Sequence, residues 1–110
     1  MPTPLLVAIC QTIREGCIYL SHHWKLFRQP KRPIPDEALY DLICDEQSEI
    51  IEHNEDGRGP SILVWGKIDG RVAHVLCSHP PVVAIITAYW PDEKKSKWTH
   101  DYKRRVRVRG

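Results

Sequence analysis

No apolar stretch in this sequence approaches the roughly 18–20 residues that cross a bilayer. The longest near the start runs only from Leu5 to Cys10, and no basic region precedes it, so neither a membrane span nor a secretory signal is expected. CxxC pairs are missing as well. The four cysteines, Cys10, Cys17, Cys44 and Cys77, show no framework spacing and read as free thiols, mostly buried, in a reducing cytoplasm. There is no Gly-rich phosphate loop, no GxSxG and no paired-carboxylate motif, which sets aside hydrolases of those types. Internal repeats are absent. Positive charge is wholly lacking from a stretch that contains Asp36, Glu37, Asp41, Asp45, Glu46, Glu49, Glu52, Glu55 and Asp56.

What is present is an ordinary globular composition. With 42% hydrophobic and 27% charged residues in 110, the chain lies away from the low-apolar, high-charge region where chains stay disordered, and it reads as one soluble folded domain, residues 1–110. The formal net charge is only +2, but it is unevenly placed. From residue 94 onward Lys94, Lys95, Lys97, Lys103, Arg104, Arg105, Arg107 and Arg109 face Asp101 alone, a net +7, which leaves −5 for residues 1–93. The basic tail 94–110 is therefore the natural polyanion-tracking element, with a solvated terminus as the alternative.

Local signals divide the chain into helices followed by strands. Leu5, Leu6, Ile9 and Ile13 recur at helical spacing behind Pro4, and Gly16 follows as a stop, so residues 4–15 read as an amphipathic helix. Cys17 to Leu20 reads as a short extended link. A second helix, capped by Ser21, is expected through Arg28 and ends before Pro30. Pro35 with Asp36 and Glu37 opens a third, with Ala38, Leu39, Leu42 and Ile43 as its buried stripe and an end near Asp45. Beyond it, residues 49–53, 61–68, 71–78 and 82–89 are rich in Ile, Val and aromatics and read as four strands. Asp69-Gly70 between two of them predicts a two-residue type I′ hairpin, and a helical turn is expected within 97–105. The predicted class is α+β, with N-terminal helices on one face of a four-stranded antiparallel sheet.

The segments EGCIYLSHHWKLFRQPKR (15–32), EIIEHNED, ILVWGKIDGRVAHVLC and AIITAYWPDEKKSKW, in this order, resemble the bacterial domain-of-unknown-function family 4258. That pattern has a leading helix, Leu-Ser-x-His-Ala with a following Arg, Ile-Ile-Glu, a hairpin ending in Leu-His-Val-Val, and Ile-Thr-Ala-Tyr-x-Pro-Asp. Its firmest counterparts here are His74-Val75 and Ile86 to Asp92; Trp24 stands where the family has Ala, and Arg28 follows His23 by five residues rather than four. The resemblance implies a RelE-like fold, within the group of barnase, EndoU, colicin and RelE-like ribonucleases. It also implies a metal-independent ribonuclease or RNA-binding protein of toxin type, for which an antitoxin partner is plausible.

Metal-independent RNA cleavage needs a base, an acid and fixed cations around the phosphorane, and His with Arg or Lys can supply them near pH 7. The candidate catalytic set is His74, His23, Arg28, Thr87 and Tyr89. His74 shares a strand face with Val72 and Leu76, so the competing reading is a hydrogen-bonded core histidine. His23 sits at the start of the second expected helix, and Arg28 could clamp a phosphate or simply be solvated. Thr87 and Tyr89 project from one face of the last strand together with Ile85; their hydroxyls could orient a phosphate or serve sheet pairing. Trp90 and Trp98 could stack on unpaired bases or belong to the core. Lys97, Lys103, Arg104 and Arg105 are the candidate nucleic-acid contacts. No cofactor is expected, and no metal: His74, Cys77 and His79 fall close together, but residues 74 and 77 point to opposite faces of a strand. The rival function is a non-catalytic module that binds a nucleic acid or a protein partner, for which the acidic stretch would suit a basic one.

Overall fold

A computed structural model describes residues 3–20, 34–56 and 59–106. The first helix, α1, spans Pro4–Arg14. Thr3 caps it, its hydroxyl accepting from the Leu6 N–H at 3.3 Å, and Pro4 occupies the first turn where its missing N–H costs nothing. Gly16 ends it at φ 81°, with the Cys17 N–H reaching Thr12 O and the Gly16 N–H reaching Ile13 O. Residues Ile18–Leu20, read from sequence as a link, form a short strand, β1. The expected helix at 21–28 lies outside the described residues. The next helix, α2, spans Asp36–Cys44 behind Pro35, with Asp36 and Glu37 favourably placed at its positive end.

Strands β2 (Glu49–Asp56), β3 (Gly59–Ile68), β4 (Arg71–Ser78) and β5 (Val83–Tyr89) make the antiparallel sheet that the period-2 pattern predicts. Asp69 and Gly70 join β3 to β4 at φ 51° and 80°, the two positive values that a type I′ turn requires. The sheet order is β1-β5-β4-β3-β2. β1 thus adds a fifth strand, parallel to β5, with Ile18 opposite Val83 and Leu20 opposite Ile85. Three residues carry too little periodicity to be read as a strand.

Two bulges decide which side chains share a face. Between β4 and β5 the register shifts at Leu76/Cys77, so that Ile85 lies opposite Cys77 while Thr87 and Tyr89 lie opposite Leu76 and His74. Ile85 therefore faces the helices and does not share the Thr87 and Tyr89 face, as strict alternation would have had it. Between β2 and β3 a shift at Ile50/Glu52 turns Glu49 and Glu52, three residues apart, to one side, opposite Trp65 and Leu63.

The main core lies between the helices and one face of the sheet. Leu6, Ile9, Leu39, Leu42 and Ile43 meet Ile62, Val64, Ala73, Val75, Cys77, Val83, Ile85 and Ala88, all at most 2% exposed. α2 seats closely on β3 at Gly66, where an added Cβ would stand 2.5 Å from Leu42 Cγ. Cys10 and Cys44 are joined as a disulfide that ties α1 to α2, with Cα atoms 5.2 Å apart. This corrects the reading of four free thiols. The residues are 34 apart in sequence, and only the packing of the two helices brings them together. Cys17 is free and exposed; Cys77 is free and buried, its thiol pushed up to about 12 by desolvation.

The C-terminal segment covers the other face. A 3-10 helical segment, Pro91–Lys97, kinks at Lys94, and the chain then folds back across the sheet through an antiparallel bridge between Trp98 and Arg105. The helical turn expected within 97–105 is replaced by this strap. Asp101 Oδ1 accepts from the Thr99 hydroxyl at 2.8 Å and from the Lys103 N–H at 3.0 Å, and Tyr102 takes φ 60°. Such side-chain capping of a turn competes successfully with a helix.

Candidate nucleic-acid interface

His74 projects from β4 on the strap side, flanked in register by Trp65 on β3 and Tyr89 on β5. It is 0% exposed. Its Nε2 lies 2.7 Å from Tyr102 O, which only an N–H can satisfy, so Nδ1 is the acceptor for the Tyr89 hydroxyl at 3.3 Å. Trp98 stands edge-on to the imidazole at 4.4 Å between centroids, and Tyr89 does the same at 5.3 Å. Burial holds the imidazole pKa down to about 4, with Arg105 acting in the same direction, against the Tyr102 carbonyl bond and Glu52. His74 is accordingly neutral at pH 7, with both ring nitrogens engaged. Burial also pushes the Tyr89 hydroxyl up to about 12, so it remains a donor.

The other candidates divide. Thr87 lies on the same face as His74 and Tyr89 but opposite Leu76, and its buried Oγ1 has no hydrogen-bond partner. His23 and Arg28 lie outside the described residues. Lys97 is exposed. Lys103 Nζ is 2.5 Å from Glu49 Oε2 and 4.5 Å from the Trp65 ring centroid. Arg105 Nε is 2.5 Å from Glu52 Oε2, with its guanidinium 4.8 Å from the Trp98 ring. Arg104 is exposed, its N–H donating to the Thr99 hydroxyl at 3.3 Å. The acidic and basic segments, far apart in sequence, thus meet on this face.

Beside His74, where β5 runs into the 3-10 segment, a cleft of about 210 Å³ opens between Tyr89, Trp90, Trp98, Lys94, Lys97 and Arg105. Glu93 also lines it. Trp90 is held by Arg71, whose guanidinium lies 4.2 Å from the ring and donates two hydrogen bonds, at 2.7 and 2.8 Å, to the Asp92 carboxylate. The Arg71 pair holds the Asp92 carboxyl below its ordinary range. Trp98 is only 6% exposed with Arg105 over its ring, which places it in the core, and Trp90 carries Arg71 on its ring, so the cleft presents to a ligand mainly the ammonium groups of Lys94 and Lys97 beside aromatic edges. Two of the four predicted cations, Lys97 and Arg105, line this cleft; Lys103 and Arg104 do not.

Sequence reasoning named Glu49 and Glu52 only within the acidic stretch and did not single out Arg71 or the carbonyls of Asp101 and Tyr102, which receive Trp65 Nε1–H at 2.9 Å and His74 Nε2–H at 2.7 Å. Backbone acceptors leave no trace in a sequence. The pairing of Glu49 and Glu52 depends on the β2 bulge, which their spacing hides. Among the described residues no three His, Cys, Asp or Glu side chains gather as a metal site. Comparison with protein-family models, with curated proteins and with solved structures finds no match to this chain.

Proposed function

We propose that this protein is a single-stranded RNA-binding domain of bacterial toxin type, RelE-like in kind, that binds through the cleft of Tyr89, Trp90, Trp98, Lys94, Lys97 and Arg105 and does not cut. Binding is carried by the cations that line the cleft, and the absence of cutting by the enclosure of His74: 0% exposed, both nitrogens engaged and its pKa held near 4, it is closed to a 2′-hydroxyl. The cleft next to it has the residue types for phosphate contact, and no histidine lines it. A protein partner of antitoxin type belongs to the same reading. So does a cytoplasmic setting, against which the Cys10–Cys44 disulfide is the observation to test; alkylation of protein unfolded without reductant labels two thiols with the pair formed and four with it reduced.

The test is fluorescence anisotropy of a labelled single-stranded oligoribonucleotide across a salt series in the presence of a chelator. Binding should weaken with salt by a log–log slope of about −0.7 per phosphate engaged. Lys94 and Lys97 are exposed, so joint reversal to Glu should weaken binding by about tenfold or more with no change in melting temperature. The same RNA should stay intact, as it should with His74→Ala. Salt-independent or absent binding refutes the proposal; chelator-resistant cleavage lost in His74→Ala restores the ribonuclease reading.

A further inference from the structure

The two cations that the strap lays across the sheet are held by carboxylates of one strand. Lys103 meets Glu49 and Arg105 meets Glu52, each at 2.5 Å, and the β2 bulge alone turns both carboxylates to that face. Arg105 has two neighbours: Glu52 on one side, and the aromatic cleft it lines on the other. Its planar fork takes a carboxylate or a phosphate in the same bidentate way, and here Nε and Nη2 both donate to Glu52.

We propose that Glu49 and Glu52 act as an internal phosphate mimic, which holds Lys103 and Arg105 in the free protein and competes for them with the phosphates of single-stranded RNA. The inference rests on the RNA-binding reading above and adds its regulation: the acidic strand restrains Arg105, which lines the cleft, and Lys103 on the strap beside it. The pairs are partly solvated, with the Arg105 side chain 57% and the Glu49 side chain 51% exposed, so each restrains binding only modestly, by a factor of up to about five. The exchange does not require the strap to unfold. Trp65 Nε1–H on Asp101 O, His74 Nε2–H on Tyr102 O, and the Val106 N–H on Lys97 O pin it independently of those charges.

The experiment compares binding of a labelled oligouridylate by the native chain, by the pair of substitutions Glu49→Gln with Glu52→Gln, and by a control, Glu37→Gln with Asp41→Asn. The control removes equal charge from exposed positions on α2, behind the sheet. Removing the mimic should tighten binding about five- to tenfold at 0.1 M salt, where the control changes it less than twofold. The salt dependence should also steepen, because phosphate contact no longer sets free a carboxylate that takes up a cation. Melting curves and anisotropy are read on the same preparations. If the native chain binds and the Glu49/Glu52 variant matches the control or binds more weakly, the mimic is refuted and the RNA-binding reading stands. If neither the native chain nor either variant binds, both are refuted.

Discussion

His74 is the residue on which the outer layer of this domain turns. A histidine with no exposure, one nitrogen donating to a carbonyl and the other accepting from a hydroxyl, is a fixed neutral dipole and serves to dock the strap on the sheet. Its lowered pKa has a consequence for stability. Because the folded value is about 4 and the unfolded value is 6.5, the unfolded chain binds more protons between those limits, so stability falls as pH falls through that window. From pH 7 to pH 5 the loss should be about 2 kcal/mol, measured by urea unfolding. His74→Gln should be less stable at pH 7 by about 1–3 kcal/mol, for its partners left short, and should lose most of that pH dependence. An unchanged pH dependence in His74→Gln would assign the effect to other groups.

At the scale of elements, the sheet is loaded on both faces by different means. Helices cover the inner face with aliphatic side chains, whereas the strap covers the outer face with rings, backbone acceptors and two ion pairs. The closest inner contact is α2 on β3. Gly66→Ala should destabilise by about 1–3 kcal/mol, since its Cβ meets Leu42 Cγ at 2.5 Å and Leu42 is buried among its neighbours; the denaturation midpoint should drop with little change in slope. The disulfide holds the same layer from the other side. Closing a loop between residues 34 apart should contribute about 2–4 kcal/mol, read as the difference between oxidised and reduced unfolding midpoints. The outer layer depends on shorter-range chemistry: Asp101 shapes the turn, and Trp65 and His74 receive it through the carbonyls of Asp101 and Tyr102.

Across the whole molecule, the uneven charge is an internal one. Glu49 and Glu52 of the acidic stretch lie against Lys103 and Arg105, so the tail as far as residue 106 is part of the fold as well as the proposed ligand surface. Ending the chain at Tyr102 removes Lys103 and Arg105 together with the Trp98–Arg105 bridge, and leaves Glu49 and Glu52 without their partners. That truncation should lower the melting temperature by about 4–8 °C for each kcal/mol lost, besides flattening any salt dependence of polyanion binding. An unchanged melting temperature would mean that the residues beyond Tyr102 contribute nothing to stability. Periodicity, caps and turn chemistry are local and act within a few residues, which made the α+β class, the first and third helices, the four antiparallel strands and the Asp69-Gly70 turn legible in the order of residues. Packing brought what that order does not show: His74 is closed over, Ile85 leaves the Thr87 and Tyr89 face, Cys10 meets Cys44, and Glu49 and Glu52 hold Lys103 and Arg105. Each of these depends on a bulge, a backbone carbonyl or the docking of distant segments, and such long-range contacts form only when the elements are packed.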